Sequence, residues 1–189
     1  MNREQLVNAI QFIESNIELP KYIADIFESV KTGECHSKII DRFVYDYSIN
    51  KSIAKIDFLN VILEYIKTLL ENNSLTAETT ENVRFLKLLF HIEEGDFYFH
   101  KKCEIEQFIK LQLGNIYNDY YVSPEETFLK TELQELFDLS FDQMNKYAKN
   151  EAIALLQRGI SPFDLDLLLT HSEYSSLPSP SLASVHKEI

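Results

Sequence analysis

Apolar residues recur every three or four positions along most of the chain, which is the spacing of one face of an α-helix. Residues 2–17 carry the first such stripe, formed by Leu6, Ala9, Ile10 and Ile13. Similar stripes predict further helices over 20–32, 36–50, 52–72, 76–92 and 97–118, and two more between Ser123 and Gly159. A strand is conceivable only at Phe43–Tyr47, where the helical spacing is the better fit.

Helix-start and helix-stop residues fall at the ends of the last two stripes. Ser123, Pro124 and Glu126 form a capping-box pattern with proline in the first helical position. Ser140 and Gln143 repeat the pattern, and Gly159 suits the left-handed residue that closes a helix. Capping residues therefore predict where the helices begin and end, in addition to the apolar periodicity.

These elements predict one all-α domain over residues 1–171, a bundle of about seven to eight helices built from paired antiparallel hairpins. Within it, 1–50 forms the N-terminal helices, 52–160 a pair of hairpins, and 161–171 a short last helix that repeats the Ser-Pro start. Residues 172–189 are rich in serine and proline with little to bury, so we expect a loose, flexible tail there.

The net charge of the chain limits the classes of molecule that it is expected to bind. Eighteen basic against 30 acidic residues give a net charge of −12, which disfavours nucleic acid and anionic membrane surfaces as partners. Solubility is the simpler explanation of this charge, and an acidic face for a basic partner protein or a cation is the functional one. No stretch approaches the roughly 18 apolar residues that span a bilayer. With two cysteines, no disulfide framework and no signal-like start, we expect a cytoplasmic protein.

Two parts of the chain resemble each other when 62–92 is laid over 109–139 without gaps. Leu86, Leu89 and Phe90 then coincide with Leu133, Leu136 and Phe137, and the cap positions coincide as well. This echo predicts two related helical hairpins packed about a pseudo-twofold axis.

The hairpin features together resemble a known family. An acidic turn, the Ser-Pro-Glu-Glu cap at 123–126 and the Leu-Phe-Asp-Leu-Ser sequence at 136–140 are similar to the TerB-like helical domain, over about residues 55–160. That family is linked to tellurite resistance and to other bacterial stress and conflict systems. The resemblance implies paired helical hairpins, a cytoplasmic setting and a divalent-cation site on an acidic face, where Asp119 and Glu126 match the pattern and Tyr120 replaces its glycine.

Acidic residues are densest at Glu93, Glu94 and Asp96, between His91 and His100. Carboxylates beside a histidine can hold a divalent cation or tune a general base. A solvated loop between two helices explains the same residues, and no cofactor is expected beyond such a cation. His100 with Cys103, and Cys35 with His36, have the residue types of a zinc site but not its knuckle spacing, so a buried cysteine is the better interpretation.

Arg84 and His91 are the only candidates for catalysis. Seven residues apart, they would share one face of a helix, an Arg-x(6)-His spacing that resembles the ribonuclease motif of the HEPN family. An acidic chain repels RNA, and a surface arginine with a helix-end histidine is the simpler interpretation.

Aromatic residues gather at two predicted turns, with Phe97, Tyr98 and Phe99 at one and Tyr117, Tyr120 and Tyr121 at the other. Exposed tyrosines are typical of protein-binding surfaces, and packing of most of these rings in the core is the alternative interpretation. We therefore expect a non-enzymatic protein-interaction module of a bacterial stress, phage-defence or toxin-immunity system, which binds its partner through an acidic and aromatic face. The alternatives are a metal-binding TerB-like stress protein and a HEPN-like ribonuclease. The sequence does not set the oligomeric state.

Overall fold

A computed structural model describes residues 3–34, 38–117 and 124–161. The regular structure in these ranges is all-α, with eight helices and no strand. The helices are α1 (Arg3–Asn16), α2 (Lys21–Thr32), α3 (Ile39–Asp46), α4 (Lys51–Glu71), α5 (Ala77–Leu89), α6 (Asp96–Ile116), α7 (Pro124–Leu136) and α8 (Phe141–Gln157). The predicted fold class is confirmed, and Phe43–Tyr47 is the end of a helix rather than a strand.

The described helix starts follow the predicted caps. Thr76 and Thr79 form a capping box at α5, and Ser140 with Gln143 forms another at α8. Pro124 is the first residue of α7, as its fixed φ predicts. The Ser123 cap, the predicted last helix at 161–171 and the predicted tail at 172–189 fall outside the described residues, apart from Ser161.

More helices end at a residue with a left-handed backbone conformation than there are glycines at helix ends. Gly33 and Gly159 close α2 and α8 with positive φ, but Ser48, Asn73, His91 and Asp138 do the same for α3, α4, α5 and α7. Each of these ends carries the paired backbone bonds of a Schellman motif, for example Ile92 N–H to Lys87 O at 2.8 Å and His91 N–H to Leu88 O at 3.3 Å. Four non-glycine residues therefore adopt a backbone conformation that favours glycine.

The internal echo extends to the helix bounds. α5 and α7 each have 13 residues, and both begin and end at the positions that the alignment pairs. The helix before each of them, α4 and α6, has 21 residues. Phe90 and Phe137 follow α5 and α7, and both are buried. The two segments therefore share the bounds of α5 and α7 and the lengths of the helices before them.

The chain falls into two compact units. Unit 1 comprises the described residues up to Ile105 together with Gln134–Leu139, and unit 2 comprises Glu106–Leu133 and the described residues from Ser140 onward. The border crosses α6, which is kinked at Lys101 (φ −129°, ψ 23°), and it crosses α7 as well. The predicted single domain over 1–171 stays a prediction.

Unit 1 is built around aromatic rings. α1 packs against α2, α4 and α5, and α2 packs against α3. Phe58 stacks on Phe90 with 4.4 Å between ring centroids, and Phe27 lies 5.7 Å from Phe90. Phe97 meets Phe137 edge to face at 5.6 Å. Ring pairs at these distances stabilise a core beyond the apolar area that they bury.

The segment Gln134–Leu139 is held in unit 1 by ion pairs as well as by Phe137. The buried Lys87 ammonium lies 2.8 Å from the Asp138 carboxylate and donates to Glu135 O at 3.5 Å. Its Nζ also lies 5.3 Å above the Phe97 ring. Burial lowers the pKa of Lys87, and the hydrogen bond from its ammonium to Asp138 opposes that shift.

Unit 2 has an aliphatic core with polar groups inside it. Its buried apolar residues are Ile109, Leu113, Ile116, Tyr117, Leu133, Met144, Ala148, Ala152 and Leu155. Glu132 and Glu151 are also buried. The Arg158 guanidinium lies 2.7 Å from the Glu151 carboxylate, whereas the Tyr117 hydroxyl and Glu132 Oε2 have no hydrogen-bond partner among the described residues. Unit 2 thus leaves buried polar atoms that an apolar core does not satisfy.

None of the described helices combines the length and the apolar composition that a bilayer span requires.

Candidate protein-binding cleft

Arg84 and His91 do not share a helical face. α5 ends at Leu89, and His91 lies beyond that end with φ +54°. The prediction of a common face was wrong, because a left-handed residue turns the chain away from the helix axis. The Arg84 guanidinium is also occupied, since it pairs with the Glu81 carboxylate at 2.5 Å and with the Glu135 carboxylate. His91 serves as a backbone turn in this fold.

The three acidic residues predicted as a cluster, Glu93, Glu94 and Asp96, differ in their contacts. Asp96 accepts a hydrogen bond from Glu93 N–H at 2.8 Å and pairs with Lys55 at 2.7 Å. Partial burial raises the pKa of Asp96, but the bonds from Lys55 and Glu93 N–H outweigh it and hold that pKa below its usual value. Glu93 and Glu94 are exposed. Asp96 therefore anchors the start of α6.

No three His, Cys, Asp or Glu side chains are arranged to hold a metal ion within 3–34, 38–117 and 124–161. Glu126 is half-buried and already has a bonding partner, and Asp119 lies outside these ranges. Cys103 is exposed, so its interpretation as a buried hydrophobe was wrong. Cys35 and His36 are not among the described residues.

The predicted aromatic surface separates into buried and exposed rings. Phe97 and Tyr117 are buried in the cores of units 1 and 2, so neither ring is available to a partner in this conformation. Phe99 is 82% exposed, and Tyr98 is half-buried with the Lys102 ammonium 5.1 Å from its ring. Tyr120 and Tyr121 fall outside the described residues.

A cleft in unit 1 combines exposed aromatic and acidic groups at the turn from α3 to α4. Its volume is about 690 Å³, and it is lined by Asp41, Val44, Tyr45, Asp46, Ser48, Ile49 and Lys51. Tyr45 is 83% exposed, while Val44 is buried and Ile49 is half-buried. The cleft therefore has an apolar floor and a tyrosine ring at its rim.

The turn that forms this cleft is fixed by backbone bonds. Ile49 N–H donates to Val44 O at 2.9 Å, and Ser48 N–H donates to Tyr45 O at 2.9 Å. Asn50 then caps α4, because its side-chain oxygen accepts from Ser52 N–H at 2.8 Å. Hydrogen bonds thus fix the C-terminal end of α3 and the N-terminal end of α4 beside the cleft. They fix the backbone that carries Tyr45 in the absence of a partner.

The two aspartates of the cleft differ in their surroundings. Lys51 donates to Asp41 at 2.7 Å, and this bond holds the pKa of the Asp41 carboxyl below its usual value. Asp46 is exposed and forms no ion pair within the described chain. Tyr47, next along the chain, donates its hydroxyl to Asp25. Asp46 is therefore the carboxylate that remains available beside the exposed Tyr45 ring.

Sequence reasoning did not find this cleft. It followed the apolar stripe of α3 through Phe43, Val44 and Tyr47, and it passed over Tyr45 because Tyr45 lies off that stripe. An aromatic residue on the polar face of a short amphipathic helix was the available signal, since such a ring has no core to enter.

Comparisons with known proteins do not extend this description. The chain matches no protein-family profile, no curated protein and no solved structure. The resemblance to the TerB-like domain stays a prediction from the residues quoted above.

Proposed function

We propose that this chain is a non-enzymatic protein-interaction module whose acidic and aromatic face binds a basic partner protein. The observation that carries the proposal is the exposed Tyr45 ring beside the unpaired Asp46 carboxylate, on a turn fixed by backbone bonds. This face lies at the α3–α4 turn, a different place from the turns that the sequence suggested.

The chemistry of the cleft suits a lysine or arginine side chain of the partner. A cation above a tyrosine ring gains about 0.5–1 kcal/mol at an exposed site. Asp46 would pair with the same cation, and Val44 and Ile49 would contact its aliphatic stem. The net charge of −12 supports the choice of a basic partner, because long-range attraction raises the rate of encounter.

The biological setting is proposed from the sequence. The TerB-like resemblance, together with two cysteines that form no disulfide framework, supports the proposal that the module acts in the bacterial cytoplasm, in a stress, phage-defence or toxin-immunity system. A preformed acidic face is what such a module needs in order to neutralise a basic protein without chemistry of its own.

The experiment is a quantitative pull-down from the native host with the full chain, at low and physiological salt. Tyr45→Ala and Asp46→Asn are compared with the matched controls Phe99→Ala, which removes an equally exposed ring, and Glu18→Gln, which removes another exposed carboxylate. We expect one stoichiometric basic partner, reduced about two- to fivefold by each cleft variant and retained by both controls.

Two outcomes would count against the proposal. Loss of the partner in Phe99→Ala but not in Tyr45→Ala would move the binding face to the first turn of α6. Recovery of the chain alone at both salt concentrations would remove the interaction function itself.

A further inference from the structure

A second cleft lies in unit 2, apart from the partner-binding face. It is formed where α6 and α8 come together, and its volume is about 390 Å³. Glu106 and Lys110 of α6 line it together with Lys146, Tyr147, Asn150 and Glu151 of α8. The volume is in the range of small-molecule sites, and the lining is more polar than is usual for them.

The acidic groups of this cleft are already bonded within the protein. Glu106 accepts a hydrogen bond from the Tyr147 hydroxyl at 3.3 Å. The Glu151 carboxylate is buried and pairs with Arg158 at 2.7 Å. Arg158 lies next to the cleft without lining it, so three basic side chains stand against two acidic ones at this site.

The two lysines are in the opposite situation. Lys110 and Lys146 are exposed, come from different helices, and form no ion pair or hydrogen bond within the described chain. Lys31, Lys51, Lys55, Lys67, Lys87 and Lys101 have carboxylate partners, whereas Lys21, Lys38 and Lys149 form no ion pair within the described chain either. What sets Lys110 and Lys146 apart is that both line the same concave surface.

We infer that this cleft binds the phosphate group of a small phosphate monoester. Lys110 and Lys146 would neutralise its two negative charges from opposite walls, and the Asn150 amide would donate to a phosphate oxygen. The Tyr147 ring and Ala154 supply the wall against which the organic part of the ligand would lie. A monocarboxylate carries one charge and would leave one ammonium unpaired, so phosphate is the better match.

The test is a titration of the ¹⁵N-labelled full chain, followed by ¹H–¹⁵N correlation spectra. Inorganic phosphate and glucose 6-phosphate are the probes, with sodium chloride and sodium acetate at equal ionic strength as references. We expect saturable shifts of the Asn150 and Ala154 amides with both phosphates. Lys110→Gln and Lys146→Gln should each weaken binding by about two- to fivefold, the size of one exposed ion pair.

Lys149→Gln is the matched control, because Lys149 is an exposed lysine of the same helix that does not line the cleft. Its affinity should equal that of the unmodified chain. Equal weakening in Lys149→Gln, shifts that grow without saturation, or acetate binding as tight as phosphate binding would each overturn the assignment. None of these results depends on the partner-binding cleft of unit 1.

Discussion

Units 1 and 2 each place a large polar side chain in the core, but they satisfy it differently. Lys87 of unit 1 is bonded to the Asp138 carboxylate and to a backbone carbonyl, and its charge lies over an aromatic ring. Tyr117 of unit 2 is 1% exposed, and its hydroxyl has no hydrogen-bond partner in the part of the chain that the structure describes. Thr80 Oγ1 and Asn82 Oδ1 of unit 1 also lack a partner within those ranges, so the contrast is between Lys87 and Tyr117 and not between all polar atoms of the two units.

The difference shows what a buried polar group can contribute. An unsatisfied buried hydroxyl costs about 1–3 kcal/mol, whereas a bonded charge fixes the elements that supply its partners. Lys87 fixes the end of α7 in unit 1, because both of its partners lie in Gln134–Leu139. Tyr117 fixes nothing through its hydroxyl, so its ring alone stabilises unit 2.

The largest expected effect is that of Lys87→Ala. This change removes the packed stem and leaves Asp138 without its cation, so we expect a loss of about 2–4 kcal/mol in the free energy of unfolding. Urea denaturation at neutral pH measures it. Lys87→Met keeps the volume of the stem and should lose about half as much. Equal losses in the two variants would show that the ion pair, and not the packing of the stem, stabilises the protein. No loss in either variant would contradict the conclusion that Lys87 stabilises unit 1.

Tyr117→Phe should have the opposite sign. Removing a hydroxyl with no partner should leave stability at pH 8 unchanged or raise it by about 1 kcal/mol. Burial, with a smaller effect of the nearby Glu151 charge, raises the pKa of Tyr117 to about 12. The folded state therefore keeps this proton between pH 10 and pH 12 while the unfolded state releases it, so the wild type loses stability as pH rises through that window.

The phenylalanine variant lacks this loss, and its advantage over the wild type should grow by about 1 kcal/mol between pH 8 and pH 11. Urea denaturation at the two pH values gives the difference directly. An advantage that stays constant would mean that burial does not raise the pKa of Tyr117. A variant that is less stable than the wild type at pH 8 would mean that the hydroxyl is hydrogen-bonded.

His91→Gly is the smallest expected change. The histidine occupies a left-handed conformation that glycine adopts without strain, so the variant should gain about 0.5–1 kcal/mol. Asn73→Gly is the control, because asparagine tolerates this conformation better and should gain less. Thermal denaturation of both variants compares them. A destabilised His91→Gly protein would indicate that the imidazole makes a contribution beyond the turn.

The sequence predicted the helices better than it predicted their surfaces. Spacing and caps such as Ser140 placed the helix boundaries, because both signals act within a few residues. The end of α5 was placed too late, at residue 92, because His91 adopts a left-handed conformation and closes a helix whose apolar spacing continues past it. The burial of Phe97 and Tyr117 and the exposure of Tyr45 depend on packing between distant segments, which periodicity near a turn does not resolve.

The membership of Gln134–Leu139 in unit 1 has a consequence for how the protein is made. A chain emerging from the ribosome presents α1 to α5 first, and Phe137 and Asp138 leave after all of them. Until then Phe97 lacks its edge-to-face neighbour and Lys87 lacks its carboxylate. The core of unit 1 is therefore incomplete while the residues between Ile105 and Gln134 are being synthesised. A chain that stops before residue 134 lacks part of the core of unit 1 as well as part of unit 2.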